Sequence, residues 1–194
     1  MKKVLNVGGN SKAIPLPAQY ADFEHLLLDI DPKGQPDVLC DARELSSLAP
    51  DQFDMIYCSH NLEHYYRHDV KRVLRGFWDV LKPGGGVHIV VPDILSVVKT
   101  MIDKGLDIDD ELYQSALGPI LVSDVLYGFG KQIEESGVEF FAHKTGFTHK
   151  SLVKSLMQAG FAHIHSSEAG YAVTAVAFKQ DMSPDLASLF NIAV

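Results

Sequence analysis

Cysteine is scarce in this chain: there are two, Cys40 and Cys58, with no CxxC spacing. Both fall at the ends of apolar runs that read as buried strands, so they are read as reduced, buried thiols rather than as a disulfide framework. No apolar run reaches the length of a membrane span, and the opening MKKVLNVGGN enters a strand pattern with no signal-peptide arrangement. The expectation is a soluble, cytoplasmic protein with no membrane partner. Positive charge is in deficit too, with 17 Lys and Arg against 25 Asp and Glu and a net charge of −8. That argues against a broad footprint for nucleic acid and favours a small-molecule or protein substrate. Internal repeats and low-complexity tracts are lacking as well.

At 194 residues and 46% hydrophobic composition, what is there suffices for one well-packed domain and is short for two. The clearest unit runs from Phe53 to Asp93. Phe53 to Cys58 and Val87 to Val91 are apolar runs of the kind buried parallel strands use. Between them Val70, Val73, Leu74, Phe77, Trp78 and Leu81 recur at helical spacing. Lys82-Pro83-Gly84-Gly85-Gly86 stops that helix, since proline cannot continue it and glycines take the positive φ of a tight reversal. Strand, helix and strand make a right-handed βαβ unit.

Upstream, Lys3 to Val7, Glu24 to Asp29 and Asp37 to Cys40 read as three more strands, and Pro15 and Pro17 leave little room for a helix after the first. Their ends deliver Gly8 and Gly9, Asp29, and Asp41 to one edge of a parallel sheet, where ligands bind in open α/β folds. A carboxylate after the second strand suits a ribose diol. Asp31 competes with Asp29 for that role, because strand ends read from sequence are uncertain by a residue or more. Downstream, Ile94 to Ile102 is an amphipathic helix, and DDELYQSALGPILVSDVLYGF reads as two short helical patterns flanking Gly118-Pro119. This helical insertion, about 94–142, is read either as a lid over an acceptor pocket, lined by Tyr113, Tyr127 and Phe129, or as ordinary packing or a homodimer contact, with equal weight. Thr148 caps a helix carrying Leu152, Leu156 and Met157 on one face and ending at Gly160. Phe161 to Ser166 and Tyr171 to Phe178 read as a C-terminal antiparallel pair. Residues 1–180 form the domain, and 181–194 are a tail expected on the surface.

The order LNVGG, LLLDIDP, DVLCDA, FDMIYCSHNLEH and LKPGGGVHIVVPD resembles the class I S-adenosylmethionine-dependent methyltransferases. More narrowly it is similar to a group of small bacterial methyltransferases of type 11-like kind, in which AHKTGFTHKSLVKSLMQAGF also has a counterpart. The resemblance covers about Lys3 to Phe178. It implies a Rossmann-like α/β fold with a mostly parallel seven-stranded sheet, S-adenosylmethionine as cofactor, and methyl transfer to an oxygen or nitrogen of a small-molecule acceptor. By the same resemblance Asn6, Gly8, Gly9 and Asn10 pass the methionine part, Asp29 and Ile30 meet the ribose, Asp41 with Ala42 faces the adenine, and Ser59 and His60 lie near the transferred methyl. The chain departs from the pattern at the glycine turn, where Asn6 replaces an acidic residue and Asn10 and Lys12 stand where glycines are usual. Asn10 tolerates a left-handed backbone.

A base is needed only for a protonated acceptor, and histidine suits neutral pH. His60 and His143 are the catalytic candidates and His149 a further one, each weighed against a structural or merely exposed role. No metal ligand set is assigned. The competing reading is that His60-Asn61-Leu62-Glu63-His64 fits the inverted zinc-peptidase signature H-x-x-E-H, although that signature belongs inside a helix and His60 follows a strand. A dehydrogenase would need GxGxxG opening a helix, which VGGNSKAIP does not supply. The remaining alternative is a non-catalytic scaffold whose altered glycine turn no longer binds cofactor.

Overall fold

The computed structural model describes residues 1–116 and 118–193; Leu117 and Val194, which fall within the expected insertion and tail, lie outside the described residues. Five parallel strands form first: β1 (Lys3–Val7), β2 (Glu24–Asp29), β3 (Val38–Leu39), β4 (Phe53–Ser59) and β5 (Leu81–Pro92). Two more, β8 (Ala162–Ala169) and β9 (Ala172–Phe178), complete a seven-stranded sheet in the order β3-β2-β1-β4-β5-β9-β8, with β9 antiparallel to both its neighbours. The expected sheet is therefore the observed one. Its central strands are apolar on both faces, as a sheet covered on both sides requires.

One face carries the larger core. Val70, Val73, Leu74, Phe77 and Val80 of α1 (Arg67–Val80) are buried there, with Leu152 and Leu156 of α5 (His149–Ala159) beside them. Thr148 caps α5 as its sequence predicts, with Ser151 Oγ accepting the Thr148 amide at 2.9 Å. Met157 does not share the buried face and is 64% exposed. Among the described residues the opposite face has no long helix against β1 and β4. It is covered by Tyr20, from a short 3-10 turn, and by Leu186, Phe190 and Ile192. The segment after Gln180 is thus no surface appendage: α6 (Pro184–Ser188) buries Leu186 and Ala187, because the prolines that abbreviate the first crossover leave apolar sheet surface uncovered.

Two further expectations need correction. The Lys82–Gly86 run is not a separate turn: α1 ends at Val80, β5 begins at Leu81, and the run is taken up as a register shift opposite Phe53 and Met55, with Gly84 at φ 74°. The insertion is also only partly helical. After α2 (Ile94–Lys104) come β6 (Glu111–Ser115) and β7 (Gly118–Leu121), a two-stranded hairpin, then α3 (Val122–Tyr127) and α4 (Gly130–Ser136). Alternation explains the hairpin, since Leu112 turns inward to join Val97, Val122 and Val125 while Glu111 and Tyr113 face out. Both margins of the main sheet are irregular: β3 has two residues, and β8 is bulged at His163, whose φ is 47°. Among the described residues no helix is long and apolar enough to cross a membrane.

His88 of β5 sits on the thinly covered face, 7% exposed, with the Tyr20 hydroxyl 3.2 Å from its Nδ1. Burial pushes its pKa down to about 4. An unfolded histidine titrates near ~6.5, so as pH falls from there towards about 4 the unfolded chain takes up the proton first and stability is lost, by about 3 kcal/mol at the end of the window. Denaturant titrations across that range are expected to show a smaller acid loss for His88→Gln than for the parent.

Candidate cofactor and acceptor site

The carboxyl ends of β1, β2, β3 and β4 lie side by side at one edge of the sheet, and the loops that follow them build the site. After β1 the chain turns at Gly8, φ 71°, and Asn10, φ 61°. Asn10 thus takes the left-handed conformation that its residue type allows, and glycine is not needed there. The turn is closed from outside: the Asn10 amide donates to Asp29 Oδ2 at 3.0 Å, and Lys12 Nζ pairs with Asp37 at 2.7 Å. Gly8 itself is dictated by a neighbour. A Cβ at Gly8 would stand 2.0 Å from Nδ2 of Asn61, and one at Gly9 would meet Asn6 Nδ2 at 2.1 Å.

Asp29 and Asp31 have different tasks. Asp29 accepts one backbone amide on each oxygen, Asp31 N at 3.0 Å and Asn10 N, which leaves acceptor capacity on both. Asp31 caps the next 3-10 turn by accepting the Lys33 amide at 2.9 Å. Asp41 caps the turn after β3, and its carboxylate is clamped by the Arg43 guanidinium, Nη2 to Oδ2 at 2.6 Å. Burial would raise the Asp41 pKa, but the bonds from Arg43 outweigh it and hold the carboxyl below its ordinary value.

The expected cofactor residues are divided between two adjoining hollows. Ile30 and Asp41 line one of about 120 Å³, with Asn61, His64, Tyr65, Tyr66, Phe140 and Lys144. Asn6, Gly8, Gly9, Asn10 and Ser59 line the other, of about 240 Å³, with Tyr57 and the Ile14–Leu16 segment. Asn61 lies between them. Ala42 is buried in the core, and Asp29 and His60 line neither hollow. Among the described residues, Asn61 Oδ1 is buried without a hydrogen bond. An acceptor lacking a donor beside the glycine turn fits a donor-bearing ligand there, and sequence reading missed it because nothing in N-L-E-H marks the asparagine.

The histidines gather elsewhere in the same loop. His60 follows β4 at φ 49°, Leu62–His64 is a 3-10 turn, and the helix that H-x-x-E-H requires is not formed. Instead Glu63 is buried, with His60 Nδ1 3.5 Å and His143 Nε2 3.9 Å from its Oε1. Burial lowers the His143 pKa, against the opposing pull of Glu63. His149 stands apart, 2.6 Å from Ser166 Oγ. Tyr113, Tyr127 and Phe129 line neither hollow: Tyr113 stacks on Tyr171, and Tyr127 is 62% exposed. The aromatic side chain that the returning segment does contribute is Phe140.

Residues 8–89 match the family model described as "Methyltransferase domain". No curated protein matches the sequence. Among solved structures the chain is similar to a SAM-dependent methyltransferase from Archaeoglobus fulgidus (15% identity, TM-score 0.59, covering 92% of this chain and 86% of that one). It is also similar to an S-adenosylmethionine-dependent methyltransferase from Mesorhizobium loti (19%, 0.56, 91% and 90%). A third is the Burkholderia thailandensis 1,6-didemethyltoxoflavin-N1-methyltransferase with bound 1,6-didemethyltoxoflavin and S-adenosylhomocysteine (18%, 0.55, 93% and 72%). The family match is confined to residues 8–89, and the likeness to the solved structures is one of fold, that of the seven-stranded sheet with its antiparallel end.

Gly8→Ala is expected to cost about 2–3 kcal/mol, from a positive φ and a Cβ driven into Asn61. Adding Asn61→Ala should return the steric share, about 1 kcal/mol, in a double-mutant cycle of urea unfolding.

Proposed function

We propose that the protein transfers a methyl group from S-adenosylmethionine to an oxygen or nitrogen atom of a small-molecule acceptor in the cytoplasm. The observation that carries this reading is Asp29, whose two oxygens each keep acceptor capacity at the end of β2 while the glycine turn folds against it. That is the arrangement a ribose diol requires. Ile30 and Asp41 in the adjoining hollow suit the base, and the unpartnered Asn61 Oδ1 offers an acceptor to the amino-acid end in place of the acidic residue that Asn6 replaces.

Bound there, the cofactor supplies a sulfonium methyl, and in-line transfer draws on positioning more than on catalytic groups. The chain's own part is to hold the nucleoside through Asp29, to wall the base's hollow with Tyr66, Phe140 and Lys144, and to keep the methionine arm beside Gly8 and Gly9. His60, within 3.5 Å of Glu63, and His143 are the groups able to take a proton from a protonated acceptor. A small-molecule acceptor suits the net charge of −8 better than nucleic acid does. Self-association through the 94–142 insertion belongs to the same reading and is read from sedimentation. A scaffold without activity is the second reading, favoured by Asn6 at the acidic position and by the Arg43 clamp on Asp41.

Calorimetry of S-adenosylhomocysteine with the full chain separates the two. Binding that weakens about tenfold in Asp29→Ala, with the fold retained by circular dichroism, is the expected result, since an ionic hydrogen bond contributes roughly 1.5–3 kcal/mol. No binding by the parent would leave the scaffold. Binding unchanged in the variant would shift the ribose contact to Asp31.

A further inference from the structure

Glu63 poses an electrostatic problem that methyl transfer does not solve. Its side chain is 2% exposed, and among the described residues neither carboxylate oxygen has a hydrogen bond. A buried carboxylate left in that condition costs several kcal/mol, by order of magnitude, unless a cation or a donor reaches it. What surrounds it is imidazole. His60 Nδ1 lies 3.5 Å from Oε1, His143 Nε2 lies 3.9 Å from the same oxygen, and ligand atoms of Glu63, His64 and His143 all fall within 4.8 Å of one another.

The orientation of His143 is the informative detail. Its Nδ1 sits 2.9 Å from the Val125 carbonyl, which can only accept, so the ring proton belongs on Nδ1. The lone pair of neutral His143 is then on Nε2, 3.9 Å from a carboxylate oxygen that is itself an acceptor. Two acceptors face one another with no proton between them. An imidazole fixed through its far N–H by a backbone carbonyl is the arrangement that metal-ligating histidines adopt. His64 has a carbonyl at each ring nitrogen, Ala142 O 3.1 Å from Nδ1 and His60 O 3.1 Å from Nε2, so ligation would displace one of the two. Ligation through one nitrogen leaves the other N–H on its carbonyl.

We propose that Glu63, His64 and His143 bind one divalent cation of the zinc class, the ion taking the Nε2 lone pair of His143 and leaving His60 as the proton acceptor. The donor set selects the ion. Imidazole nitrogens with a single carboxylate suit zinc and its borderline neighbours, whereas calcium and magnesium want oxygen-rich cages. Ligands roughly 2.0–2.2 Å from a tetrahedral zinc stand about 3.4 Å apart, so the three ligand atoms, now within 4.8 Å of one another, would draw together around the ion, and water would complete the coordination. The role of Glu63 differs from its role in a zinc peptidase, since here the carboxylate is a ligand and not a base for water. The ion also joins two parts of the chain. The Glu63 carbonyl accepts the amides of Lys144 and Thr145 at 2.8 and 3.2 Å, so the segment carrying His143 already lies on the loop after β4. The cation would pin that segment at the wall of the hollow lined by His64, Phe140 and Lys144.

The test uses the untagged full chain, stripped with chelator and then titrated with zinc chloride by calorimetry, with thermal unfolding and the visible spectrum of the cobalt form read in parallel. Expected are one zinc per chain, a raised Tm, and intense visible bands of four-coordinate cobalt. Affinity should fall at least tenfold in both Glu63→Gln and His143→Ala, and stay unchanged in His163→Ala, on the edge strand. Far-ultraviolet circular dichroism checks that each variant is folded, and the near-isosteric Glu63→Gln carries the decision should His143→Ala fail to fold. Zinc bound equally well by Glu63→Gln, or less than one equivalent bound by the parent, would overturn the proposal. Metal binding is read without any methyl donor, so its result stands apart from that of the transferase reading.

Discussion

Everything at the candidate site depends on β1 being hydrogen-bonded along both sides, to β2 from Lys3 to Val7 and to β4 from Val4 to Val7. A buried strand must satisfy its amides and carbonyls on each flank, and a parallel strand can do so only with neighbours reached by crossovers. The chain therefore travels outward through β2 and β3 and returns across the sheet to enter β4 on the other side. At that reversal the strand ends diverge in loop direction and leave room for a ligand. Gly8, Asp29 and Asn61 are neighbours for this reason, although 53 positions separate the first from the last.

The two faces of the sheet are built differently, and the site inherits the difference. On one face α1 and α5 lay down continuous apolar stripes and bury the larger core. On the other, Pro15 and Pro17 shorten the first crossover, and aromatic contacts replace helix packing: Tyr20 meets Phe23 edge-on at 5.4 Å, and His88 meets Tyr57 and Phe190 at 5.1 and 5.2 Å. The C-terminal segment supplies what the missing helix would have covered. The hollow at the glycine turn opens beside this thinner layer, with Ile14, Pro15 and Leu16 as its outer wall.

What was legible in the sequence was whatever repeats with a period. The strands and the three long helices announce themselves through alternation or the 3.6-residue stripe, and Thr148 and Gly160 mark the ends of α5. Asp29 and Asn10 could be placed because one ends a strand and the other lies in the turn that follows one. The insertion was misread where Glu111–Leu121 is too short for its alternation to be told from a helical pattern, and where Gly118-Pro119 marks a hairpin as readily as a helix break. The tail was misread because a few apolar residues carry no period, and their burial depends on a gap more than 160 positions away. Glu63 and Asn61 were out of reach for another reason: a side chain's burial and the absence of a partner are properties of the assembled fold.

The irregular margins of the sheet bear on how the protein behaves in a crowded solution. A sheet ending in long, flat strands offers open amides to any passing chain, and stacked copies can extend it into a fibre. Here β3 is too brief to template a partner, and the bulge at His163 twists β8 out of register with an incoming strand. The molecule is in this way protected against runaway polymerisation at both ends of its sheet, by shortness at one and by distortion at the other.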